Sequence, residues 1–223
     1  MIRQLAFDLP GLPALGRADY CVSATNAVAL AAVEGWRDWP QGKMVLAGPA
    51  GAGKTHLACI WAAATGAVMM DARALAQADI AALGAQAAVV VEDCDGLAGD
   101  APGQEALFHL HNLLAAQGAP LLLTAATPPR DWGVTLPDLA SRMQAAALTR
   151  LTAPDDALLS AVLIKLFSDR QITVAPVLIS YLVARMDRSF EAARALVAAL
   201  DAEALARGVA VTRQLAASLL DKG

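Results

Sequence analysis

No part of this chain is apolar for long enough to cross a membrane. Gly, Asp, Arg or Pro interrupts every candidate run, and a helical span needs about 20 consecutive apolar residues. A secretory signal is missing as well, because Arg3, Gln4 and Asp8 break the N-terminus before an apolar core could form. Basic excess is absent: 17 Lys and Arg stand against 21 Asp and Glu, for a net charge of −4. That balance argues against a broad, non-specific DNA-binding surface. Only three cysteines occur, Cys21, Cys59 and Cys94. They are odd in number and far apart, matching neither a disulfide framework nor a zinc spacing, so a reducing cytoplasm is the expected compartment. His109 and His111 are two apart on an expected helix and face different ways, which excludes a metal pair there. Internal repeats and low-complexity linkers are also lacking.

What is present is apolar material, 57% of 223 residues. Much of it is alanine, which favours helix, and the length suits one large domain or a core with a small appendage. The run Gly48-Pro49-Ala50-Gly51-Ala52-Gly53-Lys54-Thr55 fits G-x-x-x-x-G-K-[ST] at every fixed position. A short apolar segment, Lys43 to Ala47, reads as the strand before it, and Thr55 to Thr65 as the helix after it. The glycines allow backbone N–H groups to turn inward around phosphate oxygens at the positive end of that helix. Lys54 is placed to reach the β- and γ-phosphates, and the Thr55 hydroxyl to bind Mg2+. The chain is therefore expected to bind a nucleoside di- or triphosphate.

Helical and strand signals alternate from about residue 25 to 151, the pattern of a parallel sheet covered by helices. Expected strands are Met44–Ala47, Ala67–Met70, Ala87–Glu92, Pro120–Thr124 and Ala146–Leu151. Expected helices lie near 55–65, 72–83, 103–117 and 136–143. The run Ala88-Val89-Val90-Val91-Glu92-Asp93 is apolar without alternation, as for a strand buried on both faces. It ends in two acids beside the phosphate site, where they can hold Mg2+ and orient water. After Leu151 only helical signals remain. Thr152 to Asp155 resembles a capping box, and Leu158, Leu159, Val162, Leu163 and Leu166 recur at helical spacing. Further helices are expected near 175–186, 190–207 and 212–221. The expected fold class is α/β: a P-loop core with a five-stranded parallel sheet, followed by a small all-helical lid. Its divisions are residues 1–10, 11–152 and 153–223.

The motifs together resemble the DnaA branch of the AAA+ superfamily, over most of the chain. Tyr20 to Asn26, followed by Ala29, Ala31 and Ala32, looks like the segment before the P-loop in DnaA proteins. Gly48 through Lys54-Thr55-His56-Leu57 is similar to their GxxGxGKTHL signature, Leu122 to Pro129 to their LLTSDRPP segment, and Asp138 to Arg142 to the stretch carrying their arginine finger. The N-terminal Gln4-Leu5-Ala6-Phe7-Asp8-Leu9 resembles the QLxLxL element with which Hda-type DnaA relatives dock into the sliding clamp of the replicative polymerase. Gln4 suits the mouth of a groove, with Leu5, Phe7 and Leu9 as apolar anchors. The sequence ends after the lid, where DnaA continues into a helix-turn-helix domain that reads origin DNA, so direct sequence-specific DNA binding is not expected.

The resemblance breaks in three places. Glu92 stands where the family has the Walker B aspartate, with Asp93 as the second, catalytic acid. Ala126 stands where a polar sensor of the γ-phosphate is expected. Glu191 falls where a lid arginine would reach that phosphate, with Arg188 or Arg194 as substitutes one turn away. The resemblance thus implies bound ADP or ATP with Mg2+, weak ATPase activity at most, and Arg142 projecting outward to act on a neighbour's nucleotide. It implies the sliding clamp and DnaA as partners and is compatible with a homo-oligomer. A DnaA-like ATPase adaptor or loader of another replication factor is the alternative. A small-molecule P-loop kinase is a more distant one, since the clustered arginines of an acceptor pocket are not seen.

Overall fold

The computed structural model describes residues 15–220. Five strands, β1 (Lys43–Ala47), β2 (Val68–Asp71), β3 (Val89–Glu92), β4 (Leu121–Ala125) and β5 (Ala147–Arg150), form one parallel sheet in the order β2-β3-β4-β1-β5. The central strands are buried throughout and read as Val, Leu and Met, because both of their faces are covered. Alternation along each strand divides the core into two layers. Val45, Val89, Val91, Leu121 and Leu123 pack under α4 (Ala101–Gln117) and α5 (Pro137–Gln144). Met44, Leu46, Val90 and Leu122 pack under α1 (Ala27–Glu34) and α2 (Lys54–Thr65). The second layer ends in an aromatic stack, with Trp39 lying on Trp61 at 5.3 Å between ring centroids. Trp61 is fully buried, and the apolar body of such a ring dominates core energetics.

The chain leaves the central strand β1 through α2 and runs to the far edge strand β2, so the loop after β1 sits at the carboxyl ends of β1 and β4. That is where open parallel sheets accept ligands. Between β2 and β3 the expected single helix is instead a 3-10 turn, Ala72–Gln77, followed by the short α3 (Ile80–Gly84). Asp79 causes the break: its carboxylate accepts from the Ala82 N–H at 3.0 Å and starts a new helix there.

Helices α6 (Asp156–Asp169), α7 (Pro176–Val183), α8 (Phe190–Arg207) and α9 (Arg213–Leu220) follow. They close on a separate core built by Leu159, Leu163, Phe167, Leu182, Val197 and Leu200. The cap of α6 is Asp155, not Thr152. The Asp155 carboxylate accepts from the Leu158 N–H at 2.7 Å, and the preceding Pro154 sets the chain extended before it. No helix among the described residues is long and apolar enough to cross a membrane.

Candidate nucleotide-binding site

The loop from Gly48 to Gly53 joins β1 to α2 and takes a shape that side chains resist. Gly51 has φ +72° and Gly53 φ +94°, both in the left-handed region. A Cβ on Gly51 would come within 2.1 Å of the Ser189 Cβ, and one on Gly48 within 2.5 Å of the Leu151 carbonyl oxygen. Pro49 and Ala50 form the exposed tip of the loop, while Ala52 turns inward and is buried. Lys54 is buried, and its ammonium donates to the Gly48 carbonyl at 2.8 Å and the Pro49 carbonyl at 3.1 Å. That cation therefore waits inside the loop where a phosphate would take over its bonds.

Thr55 and Glu92, from α2 and the end of β3, lie close together, near enough for the Thr55 hydroxyl to favour the ionised Glu92 carboxylate. Burial raises the Glu92 carboxyl above its ordinary value, the Thr55 hydroxyl opposes this, and Asp93 and Asp71 push further upward against Lys54. Glu92 Oε1 is buried with no hydrogen-bond partner among the described residues. A buried carboxylate oxygen left without a donor, near the Thr55 hydroxyl, suits Mg2+, a hard cation that takes oxygen ligands and retains water. Asp93 is exposed, with φ 54° and ψ 47°, and its N–H donates to the Thr124 hydroxyl at 3.1 Å. Thr124, on β4, thus ties the acidic end of β3 to the neighbouring strand. Ala126 is exposed just past β4, and its N–H goes to Asp95 at 2.9 Å. No polar side chain stands at that position.

His56 is buried and stacks edge-on against Tyr20 at 5.0 Å, while its Nε2 lies 3.0 Å from the Gly16 carbonyl. Burial holds the imidazole below its ordinary value, so Nε2–H donates to that carbonyl from a neutral ring. Asn26 fixes the segment above it by accepting from Ser23 N–H at 2.8 Å and donating to the Cys21 carbonyl at 2.9 Å. The Tyr20 hydroxyl is buried without a partner, and its pKa is pushed up to about 12, first by burial. Tyr20, Ser189 and Phe190 were not singled out from the sequence as site residues. The aromatic position in the Tyr20–Asn26 segment was the only available signal, since contact with the loop is made across the fold.

The lid reaches the loop directly. Phe190 N–H donates to the Gly51 carbonyl at 3.2 Å, and a Cβ on Gly53 would touch the Phe190 ring at 3.0 Å. The N-termini of α2 and α8 therefore converge at the loop, adding two positive dipole ends. Glu191 is exposed in the first turn of α8 behind the Ser189 cap, whose hydroxyl accepts from Ala192 N–H at 3.0 Å. Of the two substitute cations, Arg188 is paired with Asp156 at 2.6 Å. Arg194 is close enough to His56 to disfavour its protonation.

Arg142 lies elsewhere, near the C-terminal end of α5. It does not project freely outward as expected from the sequence but is half-buried, because its guanidinium lies 4.8 Å over the Phe108 ring and donates to Asn112 at 2.5 Å. The glycine-rich loop, Lys54, Thr55, His56, Glu92 and Asp93 are thus brought together, and Arg142 of α5 is held apart, against Phe108 and Asn112 of α4. Gln4, Leu5, Phe7 and Leu9 lie outside the described residues. No group of three or more His, Cys, Asp or Glu side chains among the described residues makes a metal cluster.

No family model matches the chain. Solved structures do. Domain III of the replication initiation protein DnaA from Thermotoga maritima superposes with a TM-score of 0.82 at 17% identity, covering 95% of this chain and 97% of that one. AMPPCP-bound DnaA from Aquifex aeolicus gives 0.72 at 17% identity, covering 85% of this chain and 66% of that one. The Holliday junction branch migration motor RuvB of Thermotoga maritima gives 0.66 at 18% identity, over 81% and 61%. The parallel five-stranded sheet, the loop and the helical lid define an AAA+ fold. Within that class the fold is like that of DnaA domain III.

Proposed function

We propose that this chain is a nucleotide-binding regulator of replication initiation of the Hda type. Residues 1–10 dock on the sliding clamp, 11–152 hold ADP or ATP, and 153–223 form the lid. Arg142 promotes hydrolysis of ATP bound to DnaA. The observation that carries this reading is a division within a DnaA-domain-III-like fold. Against the DnaA pattern that the sequence resembles, three positions expected to act on the chain's own nucleotide carry other side chains, Glu92, Ala126 and Glu191, while Arg142 matches it. Lys54 and the loop N–H groups bind phosphates, Thr55 and Glu92 hold Mg2+, and the lid contact at Gly51 sets the angle between core and helices. Bound Mg2+ would neutralise phosphate charge. Arg142 stabilises charge developing on the neighbour's transferred phosphoryl group, and the clamp tether raises local concentration without a new contact.

The test is hydrolysis of DnaA-bound ATP in the presence of DNA-loaded clamp. Arg142→Ala is expected to lower stimulation by about 10³-fold, and Gln4→Ala to lose clamp retention in a pull-down. Unchanged turnover or unchanged retention removes the corresponding limb. The nearness of Thr55 to the buried Glu92 carboxyl favours one second reading, an ATPase adaptor that loads another replication factor. Strong hydrolysis by the purified chain alone, stimulated by single-stranded DNA, would select it.

A further inference from the structure

Phe108, His111 and Asn112 stand three and four residues apart on α4 and share one face of the helix. All three touch Arg142. Its guanidinium carbon lies 4.8 Å from the Phe108 ring centroid, and Nη1 donates to Asn112 Oδ1 at 2.5 Å, with His111 Nδ1 3.5 Å away. Behind them Lys43 of β1 is buried and held by Gln41 Oε1 at 2.9 Å. The Lys43 ammonium has protons only to give, so in its contact with His111 it donates and Nε2 accepts. The ring proton is therefore on Nδ1, which faces Asn112 Oδ1 at 3.3 Å. One amide oxygen accepts from both His111 and Arg142, so the donors from the central strand and from the guanidinium converge on Asn112.

This arrangement uses only part of Arg142. A guanidinium has five N–H donors in a planar fork. Nη1 and one ring face are engaged, whereas Nε and Nη2 have no partner among the described residues and are not among the buried atoms lacking one. That edge is not engaged by any described residue, and it is the edge that grips a phosphate with two parallel bonds. Lys43, His111 and Arg142 gather here with no carboxylate among the groups acting on either Lys43 or His111. An acid at this place would have closed the fork. We infer that Phe108, His111 and Asn112 are positioning residues that hold Arg142 with its Nε–Nη2 edge offered to a phosphate on a neighbouring molecule.

The inference rests on the reading of Arg142 as a residue acting in trans, and two measurements separate them. The first is the rate of DnaA-bound ATP hydrolysis against concentration of the full chain. Asn112→Leu is expected to lower the maximal rate roughly tenfold or more, as for a small misplacement of a catalytic group, with the half-saturating concentration unchanged. Asn112→Gln keeps a neutral amide oxygen on the same face of α4 and restores the rate. The second needs no partner: NMR titration of His111 in the isolated chain. Lys43 and Arg142 both disfavour its protonation and the Asn112 bond favours it. Arg142→Leu therefore moves the His111 titration upward, and Asn112→Leu moves it downward. A His111 titration indifferent to both variants, or an unchanged maximal rate in Asn112→Leu, overturns the inference. Correct shifts in an isolated chain whose wild type does not accelerate DnaA hydrolysis sink the proposed function and uphold the platform.

Discussion

Glu92 gives the nucleotide site a pH-dependent contribution to stability. Its carboxyl is raised by burial, so folding favours the protonated form. Stability of the nucleotide-free chain therefore falls as pH rises from the ordinary carboxyl value through the raised one. Glu92→Gln removes that penalty, and it should melt higher than wild type at pH 7.5 without nucleotide. The same variant should lose about 10–100-fold in Mg2+-dependent nucleotide affinity, the usual cost of a disturbed metal shell. Equal Mg2+ dependence in titrations of both proteins would refute the assignment. His56 works in the opposite sense. Its protonation is disfavoured in the fold by burial, so full stability is present above about pH 6.5, the ordinary histidine value, and is lost as pH falls through the lower folded value. Thermal melts should fall between pH 7 and 5.5, and His56→Phe should flatten that slope while leaving the Tyr20 packing in place.

At the scale of elements, one buried amide sets where α5 begins. Gln104 of α4 is almost wholly buried. Its Oε1 accepts from Thr135 N–H at 2.9 Å and Leu136 N–H at 3.2 Å, and its Nε2 donates to the Leu97 carbonyl at 2.9 Å. Gln104→Leu strands those backbone groups away from water, each at a cost of about 1–3 kcal/mol. The melting temperature should drop by roughly 5 °C or more, and amides at the start of α5 should exchange faster. Normal protection there would show that Gln104 does not anchor the helix that carries Arg142.

Across the whole molecule, nucleotide binding and lid position are linked through Gly51. Phosphate held by the loop N–H groups also fixes the carbonyl that receives Phe190. A ligand at 100 times its Kd stabilises the folded state by about 2.7 kcal/mol, so ADP with Mg2+ should raise the melting temperature, and Lys54→Ala should abolish the rise. Gly51→Ala places a methyl group 2.1 Å from the Ser189 Cβ at φ +72°. The variant is expected to fold, because Gly51 itself belongs to none of the three cores, but with the lid displaced and nucleotide stabilisation lost. Small-angle scattering with and without ADP reads both effects. An unchanged profile together with full thermal stabilisation would break the proposed linkage.

The chain order of its residues was enough to specify the parallel sheet, the phosphate loop and the helical appendage. Those features depend on local periodicity and on fixed spacings such as Gly48 to Thr55, which act through neighbours in the backbone. The pairing of acids with the loop was legible for the same reason, since an apolar strand ending in Glu92-Asp93 has one place to put its carboxylates. The break at Asp79 was not legible, because an alanine-rich segment is helical by propensity and only capping against the rest of the core divides it. Nor was the posture of Arg142. Its neighbours Phe108 and Asn112 are about thirty positions away, and Lys43 nearly one hundred. Only the packing of α4 and α5 on β1 brings such distant donors and acceptors within bonding range. Contacts of that kind have no period and no motif, so tertiary structure alone decided which edge of the arginine the described residues engage.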